Sequence, residues 1–222
     1  MDSERRDRLA REALDGSVSG PDAPLEATAA AVAKADTART VVLVEGISDQ
    51  LAVEALAGRL GRDFAAEGIV VVPIGGAHAV ARFLRRFGPQ GDESRIVVGL
   101  CDAGEEVFVR KALAGSGFGV VQTRQDLQRL GFFVCERDLE DELIRAAGRP
   151  AIEDLLRSQG DLGSFRTLGR QPAWRGREFE AQLRRWLGAG AGRKLRYARL
   201  IVRSLPLDRM PAPLSDLLSA SR

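Results

Sequence analysis

Four short apolar runs, each followed by a stretch with helical spacing, limit the folds open to this chain more than any other feature. They are TVVLVE at 40–45, GIVVVPI at 68–74, RIVVGLCD at 95–102 and GFFVCE at 131–136. Strands buried on both faces read as near-continuous β-branched runs rather than as strict alternation. Behind them come SDQLAVEALAGRLG (48–61), GGAHAVARFLRRFG (75–88), EEVFVRKALAGSG (105–117) and DLEDELIRAAG (138–148). The first of these sets Leu51, Ala52, Ala55, Leu56 and Leu60 along one side and stops at a glycine. Strands alternating with helices predict an α/β fold, a parallel Rossmann-like sheet of about four strands flanked by helices. Beyond residue 150 the pattern is helical only, over 150–160, 176–188, 192–205 and 212–222. The expected organisation is an N-terminal extension over 1–38, an α/β domain over 39–149 and a helical, basic C-terminal subdomain over 150–222. In the extension, 4–14 reads as a polar helix, 16–24 as a Gly/Ser/Pro linker and 25–38 as an alanine-rich helix.

In parallel sheets, sites form beyond the C-terminal ends of the strands. This chain delivers carboxylates to that edge from several strands. Glu45 ends the first strand and Asp49 lies just beyond it; Asp102 ends the third, and Glu136, Asp138 and Glu140 follow the fourth. Gathered carboxylates raise one another's pKa values. A hard divalent cation, Mg2+ or Mn2+, relieves that repulsion and prefers oxygen ligands. Two such ions would clamp the attacking and leaving oxygens of a phosphoryl displacement. The competing reading makes strand-end acids helix caps and solvated loop charges, and Asp49 and Glu105 suit a first helical turn on dipole grounds alone. Glu45 fits that reading least, because it closes a buried apolar run.

Composition narrows the class. A length of 222 residues suits one to one-and-a-half domains, and 45% apolar with 29% charged residues is ordinary for a globular protein. No apolar run approaches the roughly 20 residues that span a bilayer, and MDSERRDRLARE lacks the apolar centre of a secretory signal. A cytoplasmic protein with no membrane partner is expected. Cys101 and Cys135 sit beside apolar runs and read as buried thiols in a reducing compartment. One histidine and no CxxC pair argue against structural zinc. Residues 160–222 hold 13 Arg/Lys against 5 Asp/Glu, which points to an anionic partner for the C-terminal part, although arginine is abundant throughout.

The stretches VLVEGISDQLAVEAL and GLCDAGEE resemble the Toprim domain. Together with IGG, DLEDELI and GRK they are similar to the overcoming-lysogenization-defect (OLD) family of Toprim nucleases, over roughly residues 38–205. The resemblance implies metal-dependent cleavage of DNA phosphodiesters, an endonuclease or nickase using Mg2+ or Mn2+ as two ions. It implies that Glu45 and Asp49 are the first-motif acids, with Glu45 binding metal or acting as acid/base. Asp102 would open the Asp-x-Asp pair, Glu140 would serve a second metal, and Lys194 would stabilise developing phosphorane charge. The chain departs from the pattern at Asp102-Ala103-Gly104, where the second acid is missing; Glu105, or else Glu106, is the expected substitute. OLD-family nucleases usually carry an ATPase domain, and this sequence has no GxxxxGK[ST] loop. The protein then works alone or with a separate ATPase polypeptide. A homodimer is a further expectation.

Other features have two readings each. IGGAH (74–78) is a tight strand-to-helix turn, or a phosphate cradle made of backbone amides. His78 is a surface residue before it is a catalytic one. RQPAWRGRE joins Arg170, Arg175 and Arg177 to Trp174, either as a nucleic-acid track with a stacking ring or as a loop packed by its tryptophan. Arg193, Arg196, Arg199 and Arg203 line the polar side of helix 192–205, for DNA or merely for solvent. Two rival functions stand beside the nuclease. One is a catalytically degenerate Toprim nucleic-acid-binding or adaptor module, supported by the broken Asp-x-Asp pair. The other is a phosphotransfer enzyme acting on small phosphate esters.

Overall fold

The computed structural model describes residues 23–91, 95–190 and 192–222. The helix expected over 4–14 and most of the linker lie outside them. Four strands, β1 (Thr40–Val44), β2 (Ile69–Pro73), β3 (Ile96–Asp102) and β4 (Phe132–Cys135), form one sheet in the order β2-β1-β3-β4. Every pairing is parallel; Leu43 sits opposite Val72 on one side and Gly99 on the other. Gly99 is required there, because a Cβ would lie 2.8 Å from the Leu43 carbonyl oxygen and 3.0 Å from the Phe132 ring.

Successive side chains of a strand point to opposite faces, and here both faces are apolar. Val41, Leu43, Val70, Val72, Val97 and Cys101 face one layer of helices. That layer holds α1 (Ala23–Ala35), α3 (Val80–Phe87), α4 (Glu106–Ala114) and α5 (Arg124–Arg129). Val42, Val44, Ile69, Val71, Val98 and Phe133 face the other. That second layer holds α2 (Ile47–Arg59), α6 (Leu139–Ser158), α7 (Leu162–Arg170), α8 (Phe179–Gly188), α9 (Arg193–Ser204) and α10 (Ala212–Ala220). The parallel sheet flanked by helices is the expected class. Two short helices are additions: α5, capped by Thr123 accepting from the Asp126 amide, and α7. Leu60 is an exposed exception on the side of α2 expected to be apolar.

Two expected divisions do not divide the packing. Helix α1 is no free arm: Ala31 and Ala35 are buried against the sheet, and the Thr28 hydroxyl donates to the Pro73 carbonyl at the end of β2. The boundary at 149/150 coincides with a break in the chain path: α6 is two helical segments joined at Gly148, whose φ 72° and ψ 159° are non-helical, with Pro150 just beyond, and packing continues across it. Proline cannot donate to the carbonyl four residues back. That carbonyl, of Ala146, instead accepts from Arg209 Nη2 at 2.6 Å. The C-terminal helices share one apolar core with the sheet face, so residues 150–222 complete the second layer.

A buried polar node fixes those helices together. Asp161, before α7, accepts from the Tyr197 hydroxyl at 2.8 Å and pairs with the Arg196 guanidinium, all three almost fully buried. Removing one partner of a buried ion pair leaves an uncompensated charge, at a cost of about 3–5 kcal/mol. Asp161→Ala is expected to lower the unfolding free energy by about that amount in urea denaturation. The double change Asp161→Leu with Arg196→Met, which leaves no orphan charge, should recover most of it.

Candidate metal centre

Glu45 is the first residue past β1, and backbone contacts fix it there. Its carbonyl accepts from the amides of Gly75 (3.0 Å) and Gly76 (3.3 Å). Those glycines follow β2 with φ 77° and 108°, a conformation that favours glycine. The two amides proposed as a phosphate cradle are therefore spent on holding Glu45, and IGGAH is a turn. Asp49 is the third residue of α2, and its Oδ2 accepts from the Gly46 amide at 2.9 Å. Asp102 ends β3. The next amide, of Ala103, still donates to Cys135 at 2.9 Å, and the Glu105 amide turns back to the Asp102 carbonyl at 2.9 Å.

These constraints bring three acids together. One carboxylate oxygen each from Glu45, Asp102 and Glu105 lies within 4.8 Å of the others. Glu106 is engaged elsewhere, by Arg124 at 2.9 Å and Arg110 at 3.7 Å. Beside the cluster is a cleft of about 300 Å3, lined by Gly46, Ser48, Asp49, Asp138, Glu140 and Lys194 together with Glu45 and Asp102. Lys194 Nζ stands 3.8 Å from Glu140 Oε2. Burial pushes the Asp102 carboxyl up to about 8, reinforced by the charge of Glu45 and a hydrogen bond with it. Burial likewise takes Asp49 up to about 6 against the pull of the Gly46 amide and of Lys194. Glu140 is raised by burial too, with Lys194 opposing. A set of oxygen-only donors that repel one another in a partly dry cleft fits a hard divalent cation. Glu45, Asp102 and Glu105 could hold one ion; Asp49, Asp138 and Glu140 offer carboxylates for another.

Two cleft residues are not among the expected metal ligands, although Asp138 is one of the expected edge acids. Asp138 follows β4 and caps α6, its Oδ1 accepting from the Asp141 amide at 2.6 Å. Ser48 is nearly buried in the first turn of α2 and lines the cleft. Only the acids of ERDLEDE and the serine of EGISD hinted at them. Glu136 instead points outward to Arg145 at 3.3 Å.

Of the five arginines expected to bind nucleic acid, three sit around one exposed loop, where Arg175 Nη2 donates to the Arg170 carbonyl at 3.3 Å. Arg170, Arg175 and Arg177 are exposed around the loop before α8, and none lines the cleft. Trp174 in that loop is half-buried, its carbonyl accepting from Gln182 at 2.9 Å. Arg196 is a correction: it is 6% exposed and turned inward, because buried Asp161 requires a cation. Arg193 lies over the Trp186 ring at 4.1 Å and donates to the Trp186 carbonyl. Trp186, Leu183 and Leu187 are core, as expected. Cys101 and Cys135 are buried free thiols, and burial drives both far above the ordinary thiol range. No described helix is long and apolar enough to cross a membrane.

Residues 37–91 match the family model described as "Overcoming lysogenization defect protein-like, TOPRIM domain". No curated protein matches the chain. Among solved structures, the C-terminal region of the Xanthomonas campestris pv. campestris OLD protein superposes with a TM-score of 0.63. It shares 25% identity, over 83% of this chain and 92% of that one. The C-terminal region of the Burkholderia pseudomallei OLD protein gives 0.59 at 22% identity, over 82% and 96%. Residues 37–91 thus match an OLD-like Toprim domain, and the chain shares the fold of the OLD C-terminal regions.

Proposed function

We propose that the protein is a metal-dependent nuclease that nicks or cleaves DNA by hydrolysing phosphodiester bonds at the Glu45 cleft. The observation that carries this reading is the Glu45–Asp102–Glu105 cluster, of which Glu45 and Asp102 line a cleft that also holds Lys194. When bound, Mg2+ or Mn2+ supplies Lewis acidity toward a phosphoryl oxygen and lowers the pKa of water. Glu45, Asp102 and Glu105 would hold it, and Asp49, Asp138 and Glu140 would serve a second ion. Glu45 is also placed to accept a proton from the attacking water. Lys194, a compact cation at the cleft wall, would offset charge developing on the phosphoryl oxygens. Glu105 supplies the acid that the Asp102-Ala103-Gly104 sequence lacks, which weighs against the degenerate adaptor. The substrate class, a separate ATPase polypeptide and a homodimer belong to this proposal. So does work in a reducing compartment such as the cytoplasm, which the two free thiols favour.

The test is nicking of supercoiled plasmid with Mn2+, Mg2+ or EDTA. The expected result is metal-dependent nicking that falls at least about a hundredfold in Glu45→Gln and in Lys194→Met, the scale of losing one preorganised charge-stabilising group. Equal nicking by all three proteins would sink the assignment. Nicking by none, with p-nitrophenyl phosphate hydrolysed instead, would favour the small-ester enzyme.

The raised carboxyls give the site a pH signature. With Asp102 at about 8 and Asp49 at about 6, the folded protein keeps protons that the unfolded chain loses near pH 4. Their contribution to stability is full below pH 4 and declines as pH rises toward 8. Metal binding expels those protons, so Mn2+ should stabilise more at pH 8 than at pH 5.5. At a hundred times Kd the gain is about 2.7 kcal/mol, or roughly 5–10 °C in Tm. Asp102→Asn should remove most of the shift and the part of the pH dependence above about pH 7, leaving the smaller part due to Asp49. A Mn2+ shift unchanged between pH 5.5 and 8 would contradict the assignment of these carboxyls to the metal.

A further inference from the structure

Phe108 is 47% exposed, the one aromatic among the exposed large hydrophobic side chains described. Its neighbour Val107 is exposed to the same degree. A single exposed apolar side chain is ordinary, but two adjacent ones on the first turn of α4 form a small apolar patch. The ring is not alone. The exposed His78 meets it edge-on, with centroids 4.8 Å apart and planes at 67°.

Both rings are tied to the residues that shape the metal cluster. The Phe108 amide donates to the Glu105 carbonyl at 2.9 Å, so Phe108 sits one turn along the same side of the chain as a cluster carboxylate. His78 follows Gly76 by two residues, and Gly76 lines the cleft and donates to the Glu45 carbonyl. This adjacency, two residues from Gly76 and three from Glu105, puts the aromatic pair outside the cleft's own lining, at its α4 rim. A phosphodiester held at Glu45, Asp102 and Glu105 carries a nucleoside on each side. A base on one of those nucleosides would meet the rim.

Resting on the nuclease reading of the cleft, we propose that His78 and Phe108 form a stacking platform for an unpaired nucleobase next to the scissile phosphate. Every base presents a π-face, so such a platform is tolerant of sequence. In a duplex both faces of a base are already covered by its neighbours, and reaching the platform requires unstacking. The platform therefore selects single-stranded, frayed or flapped substrate over intact duplex. DNA and RNA share this chemistry.

The experiment measures binding of the full chain to a fluorescent 12-mer, with Ca2+ in place of a catalytic metal. The 12-mer is offered as single-stranded DNA, as single-stranded RNA and as duplex DNA. Phe108→Ala and His78→Ala are expected to weaken single-strand binding, Phe108→Ala on the order of ten- to a hundredfold, with duplex binding within about twofold. Phe108→Trp should restore it. A 2-aminopurine base beside the cleavage position should be quenched by wild type and not by Phe108→Ala. The Mn2+ thermal shift of each variant reports that the fold and the cluster are intact. Unchanged single-strand affinity in Phe108→Ala, equal loss on single strand and duplex, or no single-strand binding by wild type would overturn the platform. Plasmid nicking is scored separately. Phe108-dependent stacking without metal-dependent nicking would remove the nuclease reading and keep the platform, whereas nicking with no Phe108 dependence would do the reverse.

Discussion

Glu45 and Asp102 cannot avoid each other. They close β1 and β3, and those strands pair in parallel with Leu43 opposite Gly99. Parallel pairing sends both chains off the same edge of the sheet, so two acids emerge side by side. Burial, reinforced by the charge of Glu45, is what lifts Asp102 to about 8. The surrounding structure spends ordinary interactions to hold that arrangement: two amides on the Glu45 carbonyl, a turn from Asp102 to Glu105, and the first turn of α2 against Asp49. A third carboxylate within 4.8 Å would make the cluster worse for a metal-free fold. A hard divalent cation would relieve that repulsion.

Much of this was legible in the sequence, for a physical reason. A strand buried on both faces has a sharp end, and an acid at that end has one place to go. Glu45, Asp102 and the acids after β4 were readable on those terms, and Gly99, which must approach the Leu43 carbonyl, marks the tight centre of the sheet. Glu105 needed more. Its position relative to Asp102 depends on a turn whose hydrogen bond the sequence does not announce. The short helices α5 and α7 were missed, although Thr123 and Asp126 are a capping box in plain view.

Arginine was where sequence reasoning failed, and the failure is instructive. An arginine reads as surface by default, because its charge is costly to bury. Arg196 is buried because Asp161, 35 residues earlier, is buried as well and the two are paired. Neither residue alone carries the signal; it appears only when α7 and α9 are packed together. Arg193, stacked on Trp186, repeats the point with an aromatic partner. The 13 basic residues after 160 are therefore not one electrostatic surface, since several of them hold the C-terminal layer together.

That internal role bears on the cleft through Lys194. The lysine lies in the first turn of α9, far along the chain from Glu45, and reaches the cleft only if α9 is held against α2. Arg59 at the end of α2 does this by donating to the Val202 carbonyl at 2.6 Å and to the Leu205 carbonyl, in the last turn of α9 and just beyond it. Arg62 does the same for α10, through the Leu218 carbonyl and Ser221. The last carbonyls of a helix have no partners within it, so a guanidinium there satisfies an intrinsic need while fixing the helix in place. The helix that presents Asp49 to the cleft at its first turn thus anchors, at its far end, the helix that presents Lys194. An acid proposed to hold metal and the cation opposite it are positioned by the two ends of one rigid element, so the C-terminal helices help shape the cleft.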